Sequence, residues 1–166
     1  SGSSGLWLAG AALFSAGVHL LRLRFYHTLK TAHDPLVWVL HVGYIWLVVG
    51  LLLLAGYGLG WIFTLSPVLH ALTVGCIGTM TLGMMSRVTL GHTGRPLVLT
   101  PLVTTAFCLM QLAAVTRVTV PIFWPMYFTE GVLLSAGLWS VCFVIYLLKF
   151  GRYLFLPRPG TYPDKN

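Results

Sequence analysis

Five apolar runs alternate with short polar breaks along the chain, each with the length of about 20 residues that a helix needs to cross the hydrocarbon core of a bilayer. They lie at 6 to 26, 35 to 57, 67 to 87, 97 to 116 and 125 to 149. Pro35, Pro67, Pro96 and Pro125 stand at or just before the start of the last four, where a missing N–H costs nothing. No repeat of fixed period interrupts the pattern. It predicts an all-α, polytopic transmembrane helical bundle. Residues 1 to 5 read as a linker or cut loop end, 6 to 155 as the membrane domain, and 156 to 166 as a tail rich in Pro, Gly and charge.

Composition sharpens this reading. The chain is 57% apolar, with 8% charged residues and a mean hydropathy of +0.87, against roughly 25% charge in a soluble domain. The net charge of +7 suggests nucleic acid only until its sources are placed. Arg22, Arg24, Lys30, Arg87, Arg95, Lys149, Arg152, Arg158 and Lys165 flank the runs on one face, and Arg117 lies on the other. The excess of basic residues in cytoplasmic loops then predicts an N-terminus outside and a C-terminus inside, which an odd number of spans requires. The expected partners are the lipid bilayer and other membrane helices or further copies, not nucleic acid. With only three carboxylates, of which Asp34 and Asp164 lie near aqueous faces, hydrolysis by a carboxylate pair has no candidates. Cys76, Cys108 and Cys142 fall singly in three different runs and read as small core residues.

Ionisable groups at membrane depth are expensive, so each is a candidate functional site. His19 lies about 10 Å from the inner boundary and His41 about 9 Å, at roughly 1.5 Å per helical residue. They are therefore level on antiparallel neighbours. His19 shares a face with Arg22 and Tyr26, and His41 with Tyr44, Ile45 and Val48. Two imidazoles at one depth, with an arginine toward the aqueous end, offer axial nitrogens for a haem iron and a cation for its propionates. The alternative is two histidines hydrogen-bonded to backbone or to each other. Directly packed helices, about 8 to 10 Å apart, leave no room for a porphyrin, so a haem there requires splayed helices or a third one.

His70 sits near the outer start of the third run and cannot reach the inner pair. Gln111, Arg117 and Glu130 share its depth, as a second polar site for a metal or proton transfer. Glu130 also reads simply as a carboxylate at a helix N-terminus. Cys76, Met80 and Met84 recur every four residues, a ladder of soft ligands that suits Cu(I) if it faces a partner. Gly75, Gly78 and Gly83, with Thr79 and Thr81, mark the close approach of a neighbouring helix. In the loop Gly91-His92-Thr93-Gly94-Arg95-Pro96, His92 and Arg95 suit an anion or a haem propionate, though a plain turn has the same composition.

The stretch His70-Ala-Leu-Thr-Val-Gly-Cys-Ile-Gly-Thr-Met-Thr-Leu-Gly-Met-Met-Ser-Arg87, followed by Gly91-His92-Thr93-Gly94-Arg95-Pro96-Leu97, resembles the C-terminal part of the NnrS family. Leu40-His41-Val42-Gly43-Tyr44-Ile45-Trp46-Leu47 resembles another segment of the same family, so the resemblance covers roughly positions 19 to 150. It implies a haem- and copper-containing protein of the bacterial inner membrane, linked to nitric oxide, nitrosative stress and denitrification, here as a C-terminal part or a short homologue. By motif match it adds weight to His41, His70 and His92. The expected haem b site is then His19, His41 and Arg22, with His92 and Arg95 toward propionates, and the expected metal ligands are His41, His70, His19 and Met84. Two other classes compete: a transporter or channel component with a polar path at His70, Gln111 and Glu130, and a cofactor-free assembly subunit that uses the small residues of the third helix.

Overall fold

The computed structural model describes residues 2–26 and 33–159. They form the expected all-α architecture, with five helices long and apolar enough to cross a membrane. These are α1 (Gly2–Arg24), α2 (Pro35–Gly58), α3 (Ser66–His92), α4 (Pro101–Phe123) and α5 (Phe128–Phe155), the last preceded by a 3-10 turn at Pro125–Tyr127.

Local chemistry sets the ends. Asp34 is extended, as a residue before proline prefers, and its Oδ1 accepts the Leu36 N–H at 3.0 Å, capping α2 with Pro35 at the first position. α2 and α3 terminate in the same way. At Gly60 the backbone enters the left-handed region (φ 77°), so that the Gly60 N–H reaches the Tyr57 carbonyl at 3.0 Å and the Trp61 N–H reaches that of Gly56 at 2.8 Å. Gly94 (φ 68°) repeats this, with the Gly94 N–H on the Gly91 carbonyl at 3.2 Å and the Arg95 N–H on that of Leu90 at 2.9 Å. The polar turn around His92 is thus a glycine cap, and α3 runs on to His92 instead of ending at Arg87.

Other boundaries also move. α1 begins at Gly2, so residues 2 to 5 form a helical turn in place of a linker. A Cβ on Gly5 would lie 2.5 Å from the Gly58 carbonyl oxygen, so the two backbones touch there. α4 starts at Pro101, not near Pro96, and continues past Pro121 to Phe123. Arg117, expected beyond the fourth span, therefore lies inside it. α5 extends to Phe155 because Lys149 and Arg152 can carry their charges to the polar boundary on long stems while the helix continues. Of the residues singled out from the sequence, Lys30, Asp164 and Lys165 lie outside the described residues.

Within α3, Ala71–Gly78 is wound as a π-helix. Ala71, Gly75 and Gly78 bring little side chain to hold an α register, and each wider turn shifts the residues that follow around the axis. The small residues mark close helix approach, as their placement suggested. A Cβ on Gly75 would meet the Trp46 ring of α2 at 2.5 Å, one on Gly83 the Val39 side chain at 2.7 Å, and one on Gly78 the Met110 sulfur of α4 at 3.4 Å.

The main core joins α2 to α5 in the half of the bundle nearest the α3–α4 loop. It includes Leu36, Val39, Leu82, Phe107, Met110 and Phe150, all under 2% exposed. Several polar groups inside pair between helices: the Thr89 and Tyr146 hydroxyls lie 2.8 Å apart, and the Ser135 hydroxyl donates to the Ala113 carbonyl at 2.9 Å. α1 stands apart from this core and packs along α2 through a small seam of Ala9, Ala12 and Ala55.

Candidate functional site

The seam between α1 and α2 brings the inner histidines together. His19 Nδ1 lies 2.6 Å from the Tyr44 hydroxyl, and their rings meet edge to face at 5.4 Å. Tyr26 stands 5.8 Å from the Tyr44 ring and 6.1 Å from that of His41. The Arg22 guanidinium sits 5.9 Å from the Tyr26 centroid, where it adds a cation to the aromatic face. His19 and His41 are thus linked through ring contacts with Tyr44 and Tyr26.

A different arrangement surrounds His70. Its Nδ1 approaches the Ser66 carbonyl oxygen, one turn earlier on the same helix, at 2.7 Å. A carbonyl only accepts, so this contact, shorter than the 3.3 Å from the same nitrogen to the Ser66 hydroxyl, favours the tautomer with the proton on Nδ1 and the lone pair on Nε2. That is the state in which an imidazole binds a metal, and a backbone carbonyl on the other nitrogen is the usual support for such a ligand. His70 is half-buried where two openings of about 380 and 400 Å³ meet between α3 and α5. The π-helical segment contributes Val74 and Ile77, and α5 contributes Trp139 and Phe143. These openings exist because α3 meets α5 mainly through its C-terminal half, leaving the other half spread.

Arg117 lines the same space. Its Nη1 is buried and has no hydrogen-bond partner among the described residues, while its guanidinium carbon lies 5.9 Å from the Phe128 ring centroid. A cation at membrane depth with an unsatisfied nitrogen is costly unless an anionic or accepting group meets it. Of the expected outer cluster, His70 and Arg117 therefore come together. Gln111 does not join them: it accepts from Trp46 Nε1 at 2.9 Å and donates to the Thr79 hydroxyl at 3.0 Å, tying α2, α3 and α4. Glu130 is exposed in the first turn of α5. A polar path through His70, Gln111 and Glu130 is not assembled.

The remaining expected residues are dispersed. A Cβ on Gly43 would meet Met80 Cγ at 2.7 Å, so Met80 packs onto α2, whereas Met84 is 45% exposed. Among the described residues no three or more His, Cys, Asp or Glu side chains gather as a metal site. Cys76 and Cys142 are buried, but Cys108 is exposed on α4. His92 is exposed and its carbonyl accepts from Arg158 Nε at 3.1 Å. The Arg95 guanidinium stacks over the Tyr153 ring at 4.1 Å. Sequence reasoning missed Trp139 and Phe143 as walls of the His70 groove, although their spacing of one helical turn on the fifth run was a signal. It also missed that Arg117 belongs inside a span.

No curated protein and no solved structure matches the chain. A family model described as NnrS protein matches residues 2–158, nearly the whole length. That match and the five membrane-length helices agree with the motifs around His41, His70 and His92, and the chain belongs to the NnrS family.

Proposed function

We propose that this multi-pass protein binds haem b in the bacterial cytoplasmic membrane and acts in the response to nitric oxide and nitrosative stress, with His70 as an iron ligand and Arg117 as the partner of a propionate. One observation carries the reading: a histidine whose Nδ1 proton is held by a backbone carbonyl shares an apolar opening with a buried, unsatisfied arginine nitrogen. The residues fit the group. A haem asks for a neutral imidazole nitrogen, a cation for its carboxylates and apolar walls, and the two openings at His70 fall within the roughly 300 to 1,000 Å³ of cofactor-sized pockets. When bound, the haem supplies one-electron chemistry and a position at which nitric oxide can coordinate.

The chain's own residues do the rest. The Ser66 carbonyl fixes the ring orientation and tautomer of His70, Arg117 balances negative charge, and Trp139, Phe143 and Ile77 keep water from the imidazole. The inner pair, His41 and His19 with Arg22, is the rival site, and we move the ligand away from it because the Tyr44 hydroxyl engages His19 and both imidazoles pack against tyrosine rings. Copper, the second metal implied by the family resemblance, fits the Cys76, Met80 and Met84 ladder poorly, since Met80 turns onto Gly43 and Met84 faces outward.

The test is the haem-to-protein ratio and reduced spectrum of His70→Ala, His41→Ala and His19→Ala in the same membranes. We expect His70→Ala to lose the haem bands and the other two to keep them. The reverse pattern returns the ligand to the inner pair, and a colourless, folded parent protein removes haem altogether. The basic face belongs in the cytoplasm, so a reporter inserted after Arg95 should read cytoplasm and one after Tyr57 periplasm.

A further inference from the structure

At the basic end, the start of α4 has an unused cap. Thr100 occupies the N-cap position, but its hydroxyl makes no capping bond, and Oγ1 is buried without a hydrogen-bond partner among the described residues. An N-cap threonine usually accepts from an N–H of the first turn, so an idle, buried one leaves both the hydroxyl and the positive end of the helix open to something else. Thr100 lines a pocket of about 260 Å³ together with Arg95, from the α3–α4 loop, and Lys149, from α5. Arg158 Nε reaches the same α3–α4 connection, donating to the His92 carbonyl at 3.1 Å. Among the described residues no carboxylate lines the pocket. The remaining wall is largely apolar, and it includes Val98, which is 74% exposed.

We propose that this pocket binds the phosphate of an anionic phospholipid from the leaflet at the basic face. The phosphate oxygens accept from Arg95 and Lys149 at the N-terminus of α4, the Thr100 hydroxyl, enclosed in the empty pocket, rotates to donate to them, and the acyl chains leave over Val98 and Leu99. Three features select this occupant. Oxyanions suit a helix N-terminus, where backbone N–H groups and the helix dipole favour negative charge. Basic pockets between transmembrane helices at this level recognise anionic headgroups. The exposed apolar exit matches an acyl chain and has no use for a free ion. The pocket is separate from the His70 groove and does not depend on the haem reading.

The experiment uses delipidated full-length protein in nanodiscs of phosphatidylcholine doped with phosphatidylglycerol, with site occupancy read by native mass spectrometry. The parent protein should retain phosphatidylglycerol in preference to phosphatidylcholine. Arg95→Gln, Lys149→Gln and Thr100→Val should each lower that preference about fivefold, the loss expected for one phosphate contact. Arg87→Gln, which removes an exposed charge from the same end of α3, should leave it unchanged. Because Arg95 also stacks on Tyr153, its variant is weighed only if its melting temperature matches the parent, and Thr100→Val decides otherwise. Equal loss in Arg87→Gln, or no loss in Thr100→Val, would mean diffuse surface charge and overturn the proposal. Millimolar inorganic phosphate forms the second arm. If it displaces the lipid with the same dependence on Thr100, the pocket serves a free anion and the lipid assignment is wrong. Undisturbed lipid at that concentration supports it.

Discussion

His19 and His70 both hold Nδ1 close to an oxygen, at 2.6 and 2.7 Å, but the two oxygens differ in kind. The Tyr44 hydroxyl facing His19 can donate or accept, so it leaves the imidazole free to take either tautomer. The Ser66 carbonyl facing His70 can only accept, and being closer than the Ser66 hydroxyl at 3.3 Å it favours the proton on Nδ1 and the lone pair on Nε2. The surroundings differ in the same sense. His19 is packed against Tyr44 along the α1–α2 seam, whereas His70 opens into an apolar groove that also receives Arg117. Equal depth and residue type, the features visible in the sequence, therefore do not distinguish these two surroundings. What decides is the polarity of the group holding the other nitrogen and whether a neighbouring helix fills the space in front.

The contrast breaks most sharply at the proposed ligand. Complete loss of haem in His70→Ala, with full retention in His19→Ala, is its largest consequence. The next effect concerns Arg117. Arg117→Gln should weaken haem retention by one charge-assisted hydrogen bond, about 1.5 to 3 kcal/mol, roughly a tenfold to hundredfold rise in dissociation constant. Arg22→Gln, which alters only the exposed cation beside Tyr26, should leave retention unchanged. Haem titration into the apo-protein distinguishes them, and a larger loss in Arg22→Gln would restore the inner site.

Much of this bundle was legible from hydropathy alone. Five spans and the close packing of Gly75, Gly78 and Gly83 follow from apolar length and residue size. The boundaries that failed did so for physical reasons. Arg87 and Arg117 looked like ends because charge is costly in a membrane, yet Arg87 is exposed on the last turns of α3 and Arg117 turns its guanidinium into a groove. Gly94 ended α3 where Arg87 did not, since a left-handed glycine satisfies terminal carbonyls and a charge does not. The π-helical segment left no mark on a pattern read at a period of 3.6. It is this segment that carries His70 and the groove wall away from the register of Met80 and Met84. Nor does Thr100 differ in sequence from any other threonine before a proline; its idle cap is a property of the fold.

The groove side of the comparison also rests on how α2 supports the π-helical segment. A Cβ on Gly75 would sit 2.5 Å from the Trp46 ring, so Gly75→Ala should destabilise the protein by about 1 to 3 kcal/mol through overpacking. A methyl group added at Gly137 on α5 would have nothing within 4 Å, and Gly137→Ala should stabilise by about 0.5 to 1 kcal/mol through helix propensity. Melting temperatures in one detergent read both. If Gly75→Ala melts like the parent, the segment is not clamped by Trp46 and the groove is less fixed than its geometry indicates.

The smallest effect belongs to the packed side. Tyr44→Phe deletes the hydroxyl that meets His19 while keeping the ring that touches both His19 and Tyr26. Interhelical hydrogen bonds in membrane bundles are worth about 0.6 kcal/mol on average, because the separated helices find other partners. The variant should therefore lower thermal stability only slightly and leave haem content and spectrum as they are. A ligand role for His19 predicts otherwise. If its Nε2 bound iron, the Tyr44 hydroxyl would be the group orienting the ring, and its removal should lower metal affinity by about 10- to 100-fold, as the loss of such supports does. Haem content and melting temperature measured on the same Tyr44→Phe preparation thus separate the two roles: a small stability loss with intact bands keeps His19 as a packing residue, and bleached bands at unchanged stability make it a ligand.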